Sequence, residues 1–253
     1  MLVFVIALKS QKISTSWQIV SSLFERCVRS ICNQTSQDFQ IVVVCHEKPN
    51  IKFNHPKINY IEVDFPIPEK DIISKRLDKG HKLLKGLAYA EKFSPSHVMI
   101  VDADDCISKH IAEYAIENPD SQGWFIKKGY VYKEGSRFLY LRSKAFSSLC
   151  GSGIIIKYGL HPQLFKNDIY DHQITHLENN INLEPLPFAG AVYITQHSEN
   201  IYLTNSKGSQ LKAQLKSKGY IHYLRDVLQY RLLTENIRGK FGLVDINNYL
   251  HSQ

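Results

Sequence analysis

The residues best suited to chemistry stand in one short run, Val98-Met-Ile-Val-Asp-Ala-Asp-Asp105. Asp102, Asp104 and Asp105 put three carboxylates within four residues, and like charges that close disfavour one another's ionisation unless a cation joins them. Oxygen-only donors suit a hard divalent ion, Mg2+ or Mn2+, which fills its other positions with phosphate oxygens and water. The alternative is a solvated acidic turn, or a cap from Asp104 or Asp105 for a helix beginning near Ser108. An apolar strand running straight into the cluster favours the metal–nucleotide reading. A second grouping, Asp168, His172 and His176, would share one face of a helix and could hold zinc. No glutamate follows its first histidine as in zinc peptidases, so a polar helix face is preferred.

The acidic run needs a scaffold, and the first hundred residues alternate strand and helix patterns. Leu2–Leu8, Phe39–Cys45 and His97–Val101 are continuous apolar runs, as expected of strands covered on both faces. Ile58–Val63 alternates and belongs nearer an edge. Trp17, Val20, Leu23, Phe24, Cys27, Val28 and Ile31 recur at three and four, a helix with one buried stripe. Leu77–Phe93 is a second helix. Strands separated by helices predict a parallel sheet with right-handed crossovers, whose ligands bind beyond the carboxyl ends of the strands. Lys9-Ser10, His46-Glu47 and the acidic cluster close three such strands and should share one rim.

After Asp105 the pattern becomes mixed. A short helix is expected over Ser108–Asn118, strands over Trp124–Tyr132, Phe138–Leu141, Cys150–Ile156 and Ala191–Thr195, and a helix over Asp168–Asn179. From Gly208, apolar residues including Leu211, Leu215, Leu228, Tyr230 and Leu232, set among lysines and arginines, suggest helices.

The acidic run resembles the Asp-x-Asp motif of GT-A-fold glycosyltransferases, particularly the family 2-like group (glycosyltransferase family A). Ser22 to Thr35 followed by Phe39-Gln-Ile-Val-Val-Val44 is similar to that group's "Leu…Ser-Ile…Gln-Thr…Phe-x-Ile-Val-Val-Val" signature. Asp78-Lys-Gly-His-Lys82 through Gly86-Leu-Ala88 resembles the helix preceding its Asp-x-Asp, and Gln196-His-Ser-Glu-Asn-Ile201 its later "His-x-x-Asn-Ile-Ser" segment. The resemblance covers roughly residues 2–205. It implies an α/β, GT-A-like (Rossmann-like), mostly parallel central sheet flanked by helices. Residues 1–106 would be the nucleotide-binding half, 107–205 the acceptor half, and 206–253 a basic helical extension.

By the same resemblance, Asp104 and Asp105 would hold the metal and diphosphate, and Asp102 would face the ribose or the metal. His197 would complete the metal shell. Asp171, in Tyr170-Asp-His-Gln173, stands where the family places its acidic pair and would be the general base, although Tyr170 replaces the first acid; Asp168 is the substitute candidate. Lys9, Glu47, Asp78, Lys79 and Lys82 would meet base, ribose and phosphates, and Gly151-Ser152-Gly153 would let a sugar approach the backbone. The implied reaction moves a hexose from a UDP- or GDP-linked donor to a hydroxyl of a glycan or lipid-linked acceptor, with inversion and with Mn2+ or Mg2+ steadying the departing diphosphate.

Composition sets the outer bounds. With 253 residues, 43% apolar and 22% charged, the chain can bury a full core and is neither disordered nor fibrous. A net charge of +7 favours anionic partners, but no nucleic-acid recognition motif accompanies it. Five scattered cysteines, Cys27, Cys32, Cys45, Cys106 and Cys150, fit a reduced chain. Met1–Leu8 is too short for a membrane span, so a cytoplasmic protein is expected, with peripheral contact at the inner membrane face through the basic C-terminal region as an option. Two rival readings stay open. A sugar-phosphate nucleotidyltransferase would want a glycine-rich loop after the first strand, and Lys9-Ser-Gln-Lys12 lacks glycine; a non-catalytic glycan- or nucleotide-binding relative would share the scaffold.

Overall fold

The structure, a computed structural model, describes residues 1–173, 181–195, 199 and 228–245. In chain order the first elements are β1 (Leu2–Ala7), α1 (Trp17–Cys32), β2 (Phe39–Cys45), β3 (Ile58–Glu62), α2 (Ile72–Ala90) and β4 (His97–Val101). The four strands run parallel in the order β4-β1-β2-β3, with Leu2 level with both Phe39 and His97. Alternation within β1 splits the core. Leu2, Phe4 and Ile6 pack with Phe24, Cys27 and Ile31 of α1, whereas Val3 and Val5 pack with Leu83 and Leu87 of α2. Leu2 through Ile6 have no accessible surface, so the strand is covered on both faces as its sequence requires.

The chain then forms β5 (Cys106–Ile107), α3 (Ile111–Glu117), β6 (Gly123–Phe125), β7 (Lys128–Lys133), β8 (Phe138–Arg142) and β9 (Ile154–Lys157). These are followed by β10 (Phe165–Lys166), β11 (Ile169–Tyr170), β12 (Glu184–Pro185), β13 (Ala189–Thr195), β14 (Tyr230–Leu232) and α4 (Glu235–Phe241). β9, β6 and β12 extend the first sheet to seven strands in the order β12-β6-β9-β4-β1-β2-β3. A second sheet, β14-β8-β7-β13-β5, shares a smaller core with Phe241 of α4 and the nearby Leu243. The molecule is therefore mixed α/β, with a central sheet between helices.

Four expectations need correction. Trp124–Tyr132 is two strands in different sheets, β6 and β7, because the chain changes sheet at Ile126–Lys127. Asp168–Asn179 does not begin as a helix: Asn167 and Asp168 take φ of 49° and 60°, closing a two-residue turn between antiparallel β10 and β11. Residues 174–180 lie outside the described residues. Tyr230–Leu232 is an edge strand, its Tyr230 and Leu232 opposite Tyr140 and Phe138, and only Glu235–Phe241 is helical in the described part of the basic extension. Finally, α2 starts five residues before Leu77, where the Asp71 side chain accepts the Ser74 N–H at 2.9 Å. Among the described residues no helix is long and apolar enough to cross a membrane. The five cysteines are free thiols, all but Cys32 buried.

Candidate functional site

A cleft of about 390 Å3 opens beyond the carboxyl ends of β1 and β4, the rim that the strand order predicts. Lys9 and Leu8 follow β1 into it, Asp78, Lys79 and Lys82 reach it from α2, and Asp102 and Asp104 from the tip of β4. Tyr170, His172, Tyr193 and Glu199 also line its walls.

The acidic cluster divides between the cleft and the core. Asp102 is ion-paired with Lys79, and Gly151 lies so close to its carboxylate that a β-carbon there would strike Oδ2. Its backbone N–H donates to Ser152 Oγ at 2.8 Å. Asp105 is fully buried and does not line the cleft. Its Oδ2 accepts the Ser152 hydroxyl at 2.6 Å and the Cys150 thiol at 3.0 Å, while Oδ1 has no partner. Burial, followed by repulsion from Asp104 and Asp102, pushes the Asp105 carboxyl well above the usual range against those two hydrogen bonds. Asp104 remains at the cleft wall. Ser152, expected at the sugar, instead braces Asp102 and Asp105 from behind.

The basic wall is equally ordered. Burial alone would lower Lys79, but Asp102 beside it, with Asp104 and Asp105 beyond, holds it above the ordinary lysine value. Lys82 is almost fully buried. It donates to Asp78 Oδ2 at 2.8 Å and to the Leu8 carbonyl at 3.0 Å, one helical turn linking the pair. Burial outweighs Asp78 and lowers the Lys82 pKa. Asp78 keeps one buried oxygen without a partner. Lys9 is ion-paired with Glu199, whose Oε1 also accepts the Ser16 N–H at 2.6 Å, at the start of α1. Glu47 does not line the cleft: it accepts from Ser10 Oγ at 2.9 Å and the Gln11 N–H at 3.2 Å, holding the turn after β1.

The β10–β11 hairpin supplies the opposite wall. It crosses α2 at Gly80, where a β-carbon would run into the Asp168 carbonyl, so only glycine admits the crossing. Asp168 itself is exposed, its carboxylate 3.6 Å from His81. The Tyr170 hydroxyl donates to the Gly151 carbonyl at 2.7 Å, fastening the hairpin to the segment behind Asp102. Asp171 does not line the cleft, whereas His172 does. His176 and His197 lie outside the described residues.

The structure thus brings Lys9, Asp78, Lys79, Lys82, Asp102 and Asp104 together and sets Glu47, Ser152, Asp105 and Asp171 apart from the cleft. Sequence reasoning missed His172 and Glu199 as wall residues. The Asn167-Asp168 turn was the available signal for His172, since it ends the helix pattern that had placed the histidine on a polar face. Among the described residues no three His, Cys, Asp or Glu side chains are grouped to hold a metal. Asp102 and Asp104 nonetheless offer the carboxylate oxygens that Mg2+ or Mn2+ takes alongside phosphate and water, so the donor set fits in kind.

No family model and no curated protein sequence matches the chain. Among solved structures it is similar to TarS 1–349 of S. aureus in complex with UDP-GlcNAc, at 16% identity and a TM-score of 0.51, covering 81% of this chain and 61% of that one. The same protein in complex with UDP gives 16% identity and 0.51 over 78% and 61%. The 2-C-methyl-D-erythritol 4-phosphate cytidylyltransferase (IspD) of Francisella tularensis is a looser likeness, at 11% identity and a TM-score of 0.43 over 85% and 100%. This chain spans about three fifths of the TarS segment. Its fold is GT-A-like, the glycosyltransferase type.

Proposed function

We propose that this protein transfers a hexose from a nucleoside-diphosphate sugar to a hydroxyl of a glycan or lipid-linked acceptor, inverting the anomeric centre. The observation that carries the reading is the meeting of Asp102 and Asp104, at the tip of a buried parallel strand, with Lys79 of α2 and Lys9 of the β1 end in one cleft. Separated charges of both signs are what a diphosphate and its cation need; a purely structural acidic turn would not gather lysines from two other elements. The likeness to a UDP-GlcNAc-bound fold supports the same ligand class.

In this reading Lys9 and Lys79 bind the diphosphate, exchanging their present carboxylate partners for phosphate oxygens. Asp78 and Lys82 present a buried acceptor and donor to the nucleoside. Asp102 and Asp104 would hold Mg2+ or Mn2+, with His197 as the further expected ligand, and that ion would neutralise charge on the leaving diphosphate. Residues 206–253, rich in lysine and arginine, would touch an anionic membrane surface if the acceptor is lipid-linked.

The test is release of nucleoside diphosphate from a panel of UDP- and GDP-sugars, with Mn2+ or Mg2+ and simple glycoside acceptors. The reading predicts turnover that disappears in Asp104→Ala with folding intact. Unchanged turnover in that variant, or none in the wild type with any donor, contradicts it.

A further inference from the structure

We infer that the proton of the acceptor hydroxyl passes to His172 rather than to Asp171; this rests on the transferase reading above. The two residues are adjacent, yet the end of β11 sends them in different directions. The Asp171 N–H donates to the Leu164 carbonyl at 2.8 Å, and its Oδ1 accepts the Gln173 N–H at 2.9 Å, a local turn that engages the carboxylate with its own backbone. His172 enters the cleft that Asp102, Asp104 and Lys79 line.

Its imidazole ring also lies beside a neighbour that is itself held in place. The Tyr170 ring flanks it, centroids 6.1 Å apart at 40°, and Tyr170 is itself fixed to Gly151. The charged groups around it are Lys79 from α2, Asp102 from the β4 tip and Asp171 from its own segment. Burial lowers its pKa, and Lys79 adds to that, against the pull of Asp102 and Asp171. The imidazole is therefore neutral near pH 7, the form that accepts a proton.

The step balances as follows. The acceptor oxygen forms its bond to the anomeric carbon as the bond from that carbon to the β-phosphate oxygen breaks, and the electron pair leaves with the nucleoside diphosphate. The hydroxyl proton goes to a ring nitrogen of His172, and the resulting imidazolium is stabilised by Asp102 nearby. The imidazolium then returns its proton to solvent.

The experiment compares wild type, His172→Gln, His172→Ala and Asp171→Asn in nucleoside-diphosphate release from UDP- and GDP-sugars, alongside the Kd for UDP. Both His172 variants should lose about 10²- to 10⁴-fold in kcat while their UDP affinity stays at the wild-type value. Added imidazole should restore part of the turnover of His172→Ala, and Asp171→Asn should keep the wild-type kcat. Loss in Asp171→Asn with turnover retained in His172→Gln overturns the assignment. So does a His172 phenotype in which UDP affinity falls in step with kcat, or which imidazole leaves untouched. A wild type that binds UDP but turns over no donor instead defeats the transferase reading itself.

Discussion

Ser152 holds Asp105 in the core: its hydroxyl donates to Asp105 Oδ2 at 2.6 Å while accepting the backbone N–H of Asp102 at 2.8 Å. One hydroxyl thereby sets the path of the chain through the acidic cluster and leaves Asp102 and Asp104 at the cleft. Ser152→Ala leaves Asp105 with the Cys150 thiol alone. Leaving a buried donor or acceptor unsatisfied costs about 1–3 kcal/mol. Thermal unfolding should therefore shift down by several degrees, at about 2–4 °C per kcal/mol for a chain near this size. An unchanged melting temperature would show that the bridge does not hold the cluster.

Gly80 makes a second, purely steric demand. Gly80→Ala must push the β10–β11 turn off α2, and overpacking of this kind costs about 1–3 kcal/mol. Because the same hairpin carries Tyr170 and His172, donor turnover should fall along with stability. Gly159→Ala, where an added methyl group meets nothing, is the control and should change neither. Thermal melts and nucleoside-diphosphate release on both variants check this.

Lys79 is expected to act through binding. Lys79→Met removes the cation beside Asp102 and leaves that carboxylate without its partner. Affinity for UDP or GDP should drop about tenfold or more, since 1.4 kcal/mol corresponds to a factor of ten. Its dependence on salt should also weaken, because one charged contact is gone. Titration calorimetry at two ionic strengths gives both quantities.

His97, buried in β4, makes stability depend on pH. Its Nε2 lies 2.9 Å from the Ser121 carbonyl, and burial lowers its pKa below the usual histidine value, the Ser121 bond pulling the other way. A folded-state pKa below the unfolded one contributes stability that is complete above about pH 6.5 and is lost as pH falls through the folded value. His97→Gln can still donate to Ser121 but does not titrate. The wild type should therefore lose stability more steeply than the variant between about pH 7 and about pH 5, as read by urea unfolding. Parallel pH profiles would remove His97 from the account.

Much of the fold could be read from residue patterns. β1, β2 and β4 are buried on both faces and so are apolar throughout, which also marked the tip of β4 as the place for the acidic cluster. α1 and the body of α2 showed their stripes because one face of each packs on that sheet. The second half was harder. Trp124 and Tyr132 sit in one β-rich run, yet tertiary pairing assigns them to different sheets, and Asn167-Asp168 was a turn signal overridden by helical spacing. Side-chain direction within the site was not legible at all. Nothing in Asp102-Ala-Asp-Asp105 says that the last carboxylate turns inward, because that depends on Ser152 and Cys150, far along the chain. Glu47 likewise had a suitable charge at a suitable strand end, but Ser10 and Gln11 claim it.

The central claim is that the cleft between the β1 end, the β4 tip and α2 is a nucleoside-diphosphate site. Isothermal titration of UDP and of GDP into the protein with Mn2+, for wild type and Asp104→Ala, tests it most directly. The wild type should bind at least one of the two, and Asp104→Ala should bind it at least about tenfold more weakly, a loss of about 1.4 kcal/mol, with an unchanged circular dichroism spectrum. Binding of neither nucleotide, or equal affinity in the two proteins, would contradict the claim.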